Sequence, residues 1–154
     1  MSAAIASQPP LTCSYDEDFY AWAFTTAALL RQRRFADIDI EHLAEEIEDM
    51  GKRDRRALES HIHNILLHLL KWRYQSEKRT TSWRQSIRNG RIEMQKLLRD
   101  SPSLAGQVAQ ILEDEYPAAR DDVIDETGLS NDTIPPQCPF TSEQVLNAKF
   151  WTDT

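Results

Sequence analysis

The sequence predicts an all-α protein, a compact bundle of five or six helices followed by an extended C-terminal tail. Three observations carry that prediction. Apolar residues recur every three or four positions through most of the chain and rarely alternate. Only four of the 154 residues are glycine, which leans against a fold rich in tight turns. Helix start and stop signals also fall at the ends of the periodic stretches. At 154 residues the chain is the usual length of one domain, enough to bury roughly two-thirds of its unfolded surface. With 40% apolar and 28% charged residues it is globular, though polar for its size.

The elements follow in order. Residues 1–14 have no basic region and no apolar run of signal-peptide length, and read as a loose tail. Ser14 is placed to cap the first helix, with Asp16, Glu17 and Asp18 in its first turn, where acids suit the helix dipole. Phe19, Trp22, Ala23, Ala27 and Leu30 then form a stripe expected to face the core. A second start falls at Asp37 or Asp39 and is followed by Ile40, Leu43, Ile47 and Met50. Beyond Gly51 the same rhythm resumes with Leu58, Ile62, Ile65, Leu66, Leu69 and Trp72. A helix-interior glycine costs about 1 kcal/mol relative to alanine, so Gly51 either ends one helix or softens a long one.

Ser82 with Gln85 has the form of a capping box, opening a helix through Trp83, Ile87, Met94 and Leu98 that ends near Arg99. Ser101 before Pro102 is a further start, and Leu104, Val108, Ile111 and Leu112 form the apolar face that follows. Pro117 is expected to kink or split this helix, and Gly128 to terminate it after Thr127. The domain organisation read from this is a tail over 1–14, a helical domain over 15–129, and a tail over 130–154. That last tail is expected to pack Phe140, Phe150 and Trp151 on the domain or on a second subunit. Thr141 or Ser142 can cap one short helix within it.

Charge is unevenly spread. The net charge is −7, which disfavours general binding to nucleic acid or anionic membranes. Residues 37–49 hold seven acids and no base, residues 52–99 hold thirteen bases against four acids, and residues 100–126 hold eight acids and one base, Arg120. Such bands either pair within the molecule or across a dimer, or leave a basic surface for an anion. No run is long and apolar enough for a membrane span. Cys13 and Cys138 fit no metal spacing and read as two inert thiols in the reducing cytoplasm.

Several strings stand out together: Tyr15-Asp16-Glu17-Asp18-Phe19-Tyr20-Ala21-Trp22, Leu43-Ala44-Glu45-Glu46-Ile47-Glu48-Asp49-Met50-Gly51 and His68-Leu69-Leu70-Lys71-Trp72. Others are Ser82-Trp83-Arg84, Ser101-Pro102-Ser103-Leu104, Glu126-Thr127-Gly128-Leu129 and Cys138-Pro139. In this order they resemble a bacterial family known as domain of unknown function number twenty-nine, abundant in cyanobacteria. The resemblance covers nearly the whole chain from Tyr15 onward. It implies a single all-helical domain and brings no activity, cofactor or catalytic residue. One departure is Asn89-Gly90-Arg91, where the family tends to place glutamine before the arginine.

Three groups of residues could carry chemistry. Glu45, Glu48 and Asp49 share a helix face, and such carboxylates are oxygen ligands suited to Mg²⁺. The pattern resembles half the metal site of all-α nucleotide pyrophosphatases, with Asp121, Asp122, Asp125 and Glu126 as candidates for the other half. A solvated or salt-bridged acidic face is the plainer reading. His61 and His68, seven residues apart, are too distant to share a metal and read as hydrogen-bonded helix residues, while His63 points elsewhere. No nucleophile elbow and no phosphate-cradling glycine loop is present.

The basic stretch interleaves Lys71, Arg73, Lys78, Arg79, Arg84, Arg88 and Arg91 with Trp72, Tyr74 and Trp83. Arg84, Arg88 and Arg91 fall on one helix face and can form one patch. Pairing with the flanking acids is the first expectation for it, and an anion or single-stranded nucleic acid the second. The favoured function is therefore a non-enzymatic protein-interaction module that is cytoplasmic and binds no membrane, its partner a second copy of itself or another protein. The candidate binding residues are Trp83, Arg84, Arg88, Arg91, Lys71 and Trp72, with no cofactor and no metal. The alternative is a Mg²⁺-dependent nucleotide hydrolase using Glu45, Glu48, Asp49, Asp122 and Glu126, and a weaker one is nucleic-acid binding through residues 71–99.

Overall fold

The computed structural model describes residues 14–152. Cys13 and the tail expected before Ser14 lie outside them. The described residues are all-α, with five α-helices and three short 3-10 segments in the order α1 (Phe19–Arg31), α2 (Ile40–Tyr74), α3 (Thr81–Asp100), α4 (Val108–Thr127) and α5 (Ser142–Leu146). No strand occurs among them. No helix among them is long and apolar enough to cross a membrane. They fall into two compact units, one through Gly51 and one from Lys52.

In the first unit α1 starts at Phe19, four residues later than Ser14 would place it. Asp18 is the cap, its carboxylate accepting from the Ala21 N–H at 2.9 Å, while Ser14 accepts from Glu17 in the turn before. A carboxylate next to the first apolar residue satisfies an orphan helix N–H directly, so it displaces the more distant serine. The helix closes on Arg33, the one non-glycine residue at positive φ (57°) among those described, with Arg34 N–H bonding Leu29 O at 2.9 Å. After a 3-10 turn at Phe35–Asp37, α2 begins. Asp39 accepts from the backbone N–H of His42 at 3.3 Å and meets its ring Nδ1 at 2.5 Å. The Tyr15 ring stacks on that imidazole at 4.1 Å, and its hydroxyl donates to Glu46.

Helix α2 runs unbroken through Gly51 for 35 residues, about 52 Å at 1.5 Å per residue. Its part in the second unit contributes Leu58, Ile62, Ile65, Leu66, Leu69 and Leu70, each fully buried. These pack with Ile87 and Met94 of α3, with Ile111, Tyr116, Ala119 and Val123 of α4, and with Ile134, Phe140 and Val145. Helix α3 is capped by Thr80, whose hydroxyl accepts from Trp83 N–H at 3.2 Å, rather than by Ser82. Gly90 in this helix has a packing reason. A Cβ there would lie 2.7 Å from Ile65 Cγ1 and 3.1 Å from Ile65 Cδ1, so glycine lets α3 lie close against α2.

Pro102 opens a 3-10 segment, Pro102–Gln107, and α4 follows. Pro117 does not split α4, which continues to Thr127. Pro117 and Glu113, whose carbonyl loses its helical partner, both lie on the exposed face, while Tyr116, Ala119 and Val123 hold the other face in the core. Gly128 terminates the helix at φ +72°, its N–H on Ile124 O at 2.9 Å. Beyond it the chain is tied to α4 by backbone acceptors. Arg120 donates to Asn131 O and Ile134 O, and Tyr116 OH to Pro135 O. Thr141 and Gln144 form a reciprocal capping box for α5.

Candidate functional site

Two features stand out. The first is a cavity of about 290 Å³ in the second unit, lined by Arg84, Arg88, Arg91, Ile92 and Gln95 of α3 and by Ala148 and Trp151. Helical spacing lays the four polar residues along one face over about 16 Å. Among the described residues no acid lines the cavity. Arg91 is 1% exposed, an unusual place for a charge. Its Nε donates to Val145 O at 2.9 Å and an Nη to Gln144 O at 3.1 Å, satisfying carbonyls that the end of a five-residue helix leaves open. Its other Nη has no hydrogen-bond partner. Desolvation draws the guanidinium down to about 10, so it remains charged at neutral pH.

Trp151 organises the rest. The Arg91 guanidinium lies 5.6 Å and that of Arg84 5.4 Å from its ring centre. Trp72 is buried and packs on Trp151 at 5.1 Å, with Arg79 and Arg84 over its own ring at 4.8 and 5.6 Å. Arg79 also donates to Trp72 O and Thr152 O, fastening the end of the chain. Among the described residues the buried side-chain polar atoms without a partner are, besides Arg91 Nη, Trp72 Nε1 and Thr152 Oγ1. Both belong to residues around Trp151, and each can donate a hydrogen bond.

The banded charges meet only in part. Lys71 pairs with Glu126 and lies 5.7 Å over the half-buried Trp83 ring. His63, which the spacing turns away from the face of His61 and His68, bridges Asp122 at 2.8 Å and Glu115 at 3.3 Å. His68 is held by a hydrogen bond to Asn64 O at 2.8 Å, and burial lowers its pKa. Arg84, Arg88 and Arg91, however, enter no ion pair among the described residues. The expected pairing of this patch with acids of the same chain does not occur among the described residues. Glu45, Glu48 and Asp49 are exposed on α2, Asp122 and Glu126 face His63 and Lys71, and no group of three His, Cys, Asp or Glu with metal-holding geometry occurs among the described residues.

The second feature is an apolar surface on the first unit. Of the stripe read as core-facing on α1, Trp22 is buried and Ala23 and Ala27 are half-buried, but Phe19 is 51% and Leu30 41% exposed, with Tyr20 at 73% and Phe24 at 63% beside them. Its buried face is Trp22 together with Thr26 and Leu29. Phe35, Ile40, Ile47 and Met50 are also more than half exposed. The clue was in the sequence, because α1 carries no charged residue before Arg31 and a helix that is apolar all round is normally covered all round. Ala148 and Trp151 could not have been assigned to the arginine cavity beforehand, since only the folded chain returns residues 148–151 to α3, whereas Gln95 shares the arginine face by helical spacing.

A larger cavity of about 560 Å³ lies between α4 and residues 136–142, lined by Leu112, Tyr116, Pro117, Cys138 and Phe140 among others. Burial raises the Cys138 thiol pKa, which leaves it a poor nucleophile. No curated protein and no solved structure matches the chain. The family described as Domain of unknown function DUF29 matches it over residues 14–151, and with nearly the whole of its length covered, the chain belongs to that family.

Proposed function

We propose that the chain is a non-enzymatic protein-interaction module that works by self-association, two copies meeting through the apolar face of α1 and the first turns of α2. The observation that carries this reading is the exposure of eight large apolar side chains between Phe19 and Met50. The four aromatic ones together expose on the order of 500 Å², taking about 200 Å² for each ring. With the aliphatic ones the total approaches roughly 800 Å², the area each partner of a standard dimer hides. A second copy is the occupant that the surface itself suggests. Among its described residues the unit buries Trp22, Thr26, Leu29 and Ile38, a small core beside the apolar surface it leaves exposed. A symmetric pair of helical hairpins supplies the missing cover as a four-helix bundle.

Sedimentation equilibrium on the full chain tests this. The wild type should dimerise, and Phe24→Asp should weaken the dimer about 100-fold or more, since it replaces a buried ring with a carboxylate in both copies. Because Phe24 is already exposed in the single chain, the variant should keep its helix content. Residues 14–51 carry ten acids against three bases, so added salt should strengthen association by screening the repulsion between copies. A wild type that stays monomeric at high micromolar concentration overturns the proposal.

A further inference from the structure

We propose that the cavity beside Trp151 is a binding site for a small organic anion carrying two carboxylate or phosphate groups, gripped by Arg84 and Arg88 while Trp151 and Ile92 cover its carbon skeleton. The argument starts from charge. Three guanidinium groups line one cavity with no acid among its walls and no ion pair elsewhere in the described chain. Arginines placed so close repel one another, and Arg91 is almost wholly removed from water. A buried cation is costly unless an opposite charge or hydrogen bonds compensate it. The two carbonyls on Arg91 compensate part, and its free Nη leaves part outstanding.

The cavity is also built rather than incidental. Arg84 is held between the Trp72 and Trp151 rings, and Arg91 is pinned to the end of α5, so two of the three cations are preorganised. Preorganised guanidinium forks are the groups that bind carboxylate and phosphate oxygens in pairs. Arg88, exposed and without an ion pair or hydrogen bond among the described residues, can close on a ligand. The volume of about 290 Å³ is at the small end of ligand pockets, which selects a small molecule. The spacing of Arg84 and Arg88, one helical turn, suits two separate anionic groups. The Trp151 face and Ile92 then favour a flat or apolar link between them.

Isothermal titration calorimetry and tryptophan fluorescence on the full-length protein provide the test, with isophthalate as the dicarboxylate probe, glucose 1,6-bisphosphate as the phosphate probe and neutral resorcinol as the control. One of the two anions should bind at one site per chain, perturb tryptophan emission and give way as salt is added. Which one binds decides between carboxylate and phosphate. Arg88→Gln and Arg84→Gln should each weaken binding about tenfold or more, as loss of a charge-assisted hydrogen bond requires. Arg88→Gln should not lower the melting temperature, because Arg88 makes no hydrogen bond or ion pair among the described residues and its loss relieves repulsion between like charges, and Arg84→Lys should recover only part of the affinity. Saturation by neither anion, equal binding of resorcinol, wild-type affinity in Arg88→Gln, or binding confined to a polymeric anion such as poly-glutamate or single-stranded DNA would each overturn the proposal.

Discussion

Replacing Gly90 with alanine tests the packing that presents the arginine face. The added Cβ would lie 2.7 Å from Ile65 Cγ1, with Ile65 Cδ1 at 3.1 Å and His61 O at 3.8 Å. Ile65 is fully buried among core side chains, and Cγ1 is held close to its backbone, so the contact cannot be relieved by swinging a flexible end. Two effects compete. Alanine favours a helix interior over glycine by about 1 kcal/mol, while forced overpacking of a core costs about 1–3 kcal/mol or more. At 2.7 Å the upper part of that range applies, so the net loss should be about 1–2 kcal/mol. For a chain of this size that lowers the melting temperature by roughly 3–6 °C. Urea unfolding followed by circular dichroism measures it, and a cycle with Ile65→Ala isolates the cause. Ile65→Ala alone should cost about 2–5 kcal/mol, and distinctly less when alanine occupies position 90, because the new methyl then fills the space it clashed with. A Gly90→Ala protein as stable as the wild type, with additive single and double variants, would refute the close-packing account.

Two further predictions follow from local geometry. At Gly51 an added Cβ meets nothing within 4 Å and the helix is continuous, so Gly51→Ala should stabilise the chain by up to about 1 kcal/mol, read by urea unfolding. A loss of stability there would mean that the position is not helical. For His42, the hydrogen bond with Asp39 raises the imidazole pKa above its ordinary 6.5 and lowers that of Asp39 below 3.8. The histidine contribution is complete below pH 6.5 and fades as pH rises through the raised value, whereas the aspartate contribution is complete above pH 3.8 and fades as pH falls through the lowered one. The start of α2 should therefore be firmest between those values. A ring-proton titration by NMR should place His42 above 6.5, and Asp39→Asn should return it toward 6.5. A wild-type His42 at or below 6.5 would contradict the pairing.

The helices were legible because their apolar spacing is dense: the run from Leu58 to Trp72 permits no other periodicity, and Gly128 marks its helix end unambiguously. Boundaries were less so. Ser14 and Ser82 are good caps by type, but Asp18 and Thr80 are the residues with a free helix N–H in reach. Pro117 was read by its local cost alone, and burial of Tyr116 and Ala119 around it outweighs that cost. The site was legible only as a patch. Arg84, Arg88 and Arg91 share a face by spacing, yet no one-dimensional pattern tells whether that face meets acids or opens onto a cavity closed by Trp151, sixty residues further along the chain. The bands of charge had the same ambiguity, resolved one way at Lys71 and His63 and the other way at the arginines. On α1, periodicity named a core stripe where lack of charge should have been weighed, since a helix apolar on every side has more surface to cover than one neighbour can hide.

The central claim is that a second copy of the chain covers the face formed by α1 and the start of α2. Isotope-filtered NOE spectroscopy on a mixture of labelled and unlabelled protein tests it most directly. Intermolecular contacts should run from the Tyr20 and Phe24 rings of one copy to side chains between Phe19 and Met50 of the other, and should disappear in Phe24→Asp. Intermolecular contacts confined to residues beyond Lys52, or none at concentrations where the rings are well resolved, would contradict it.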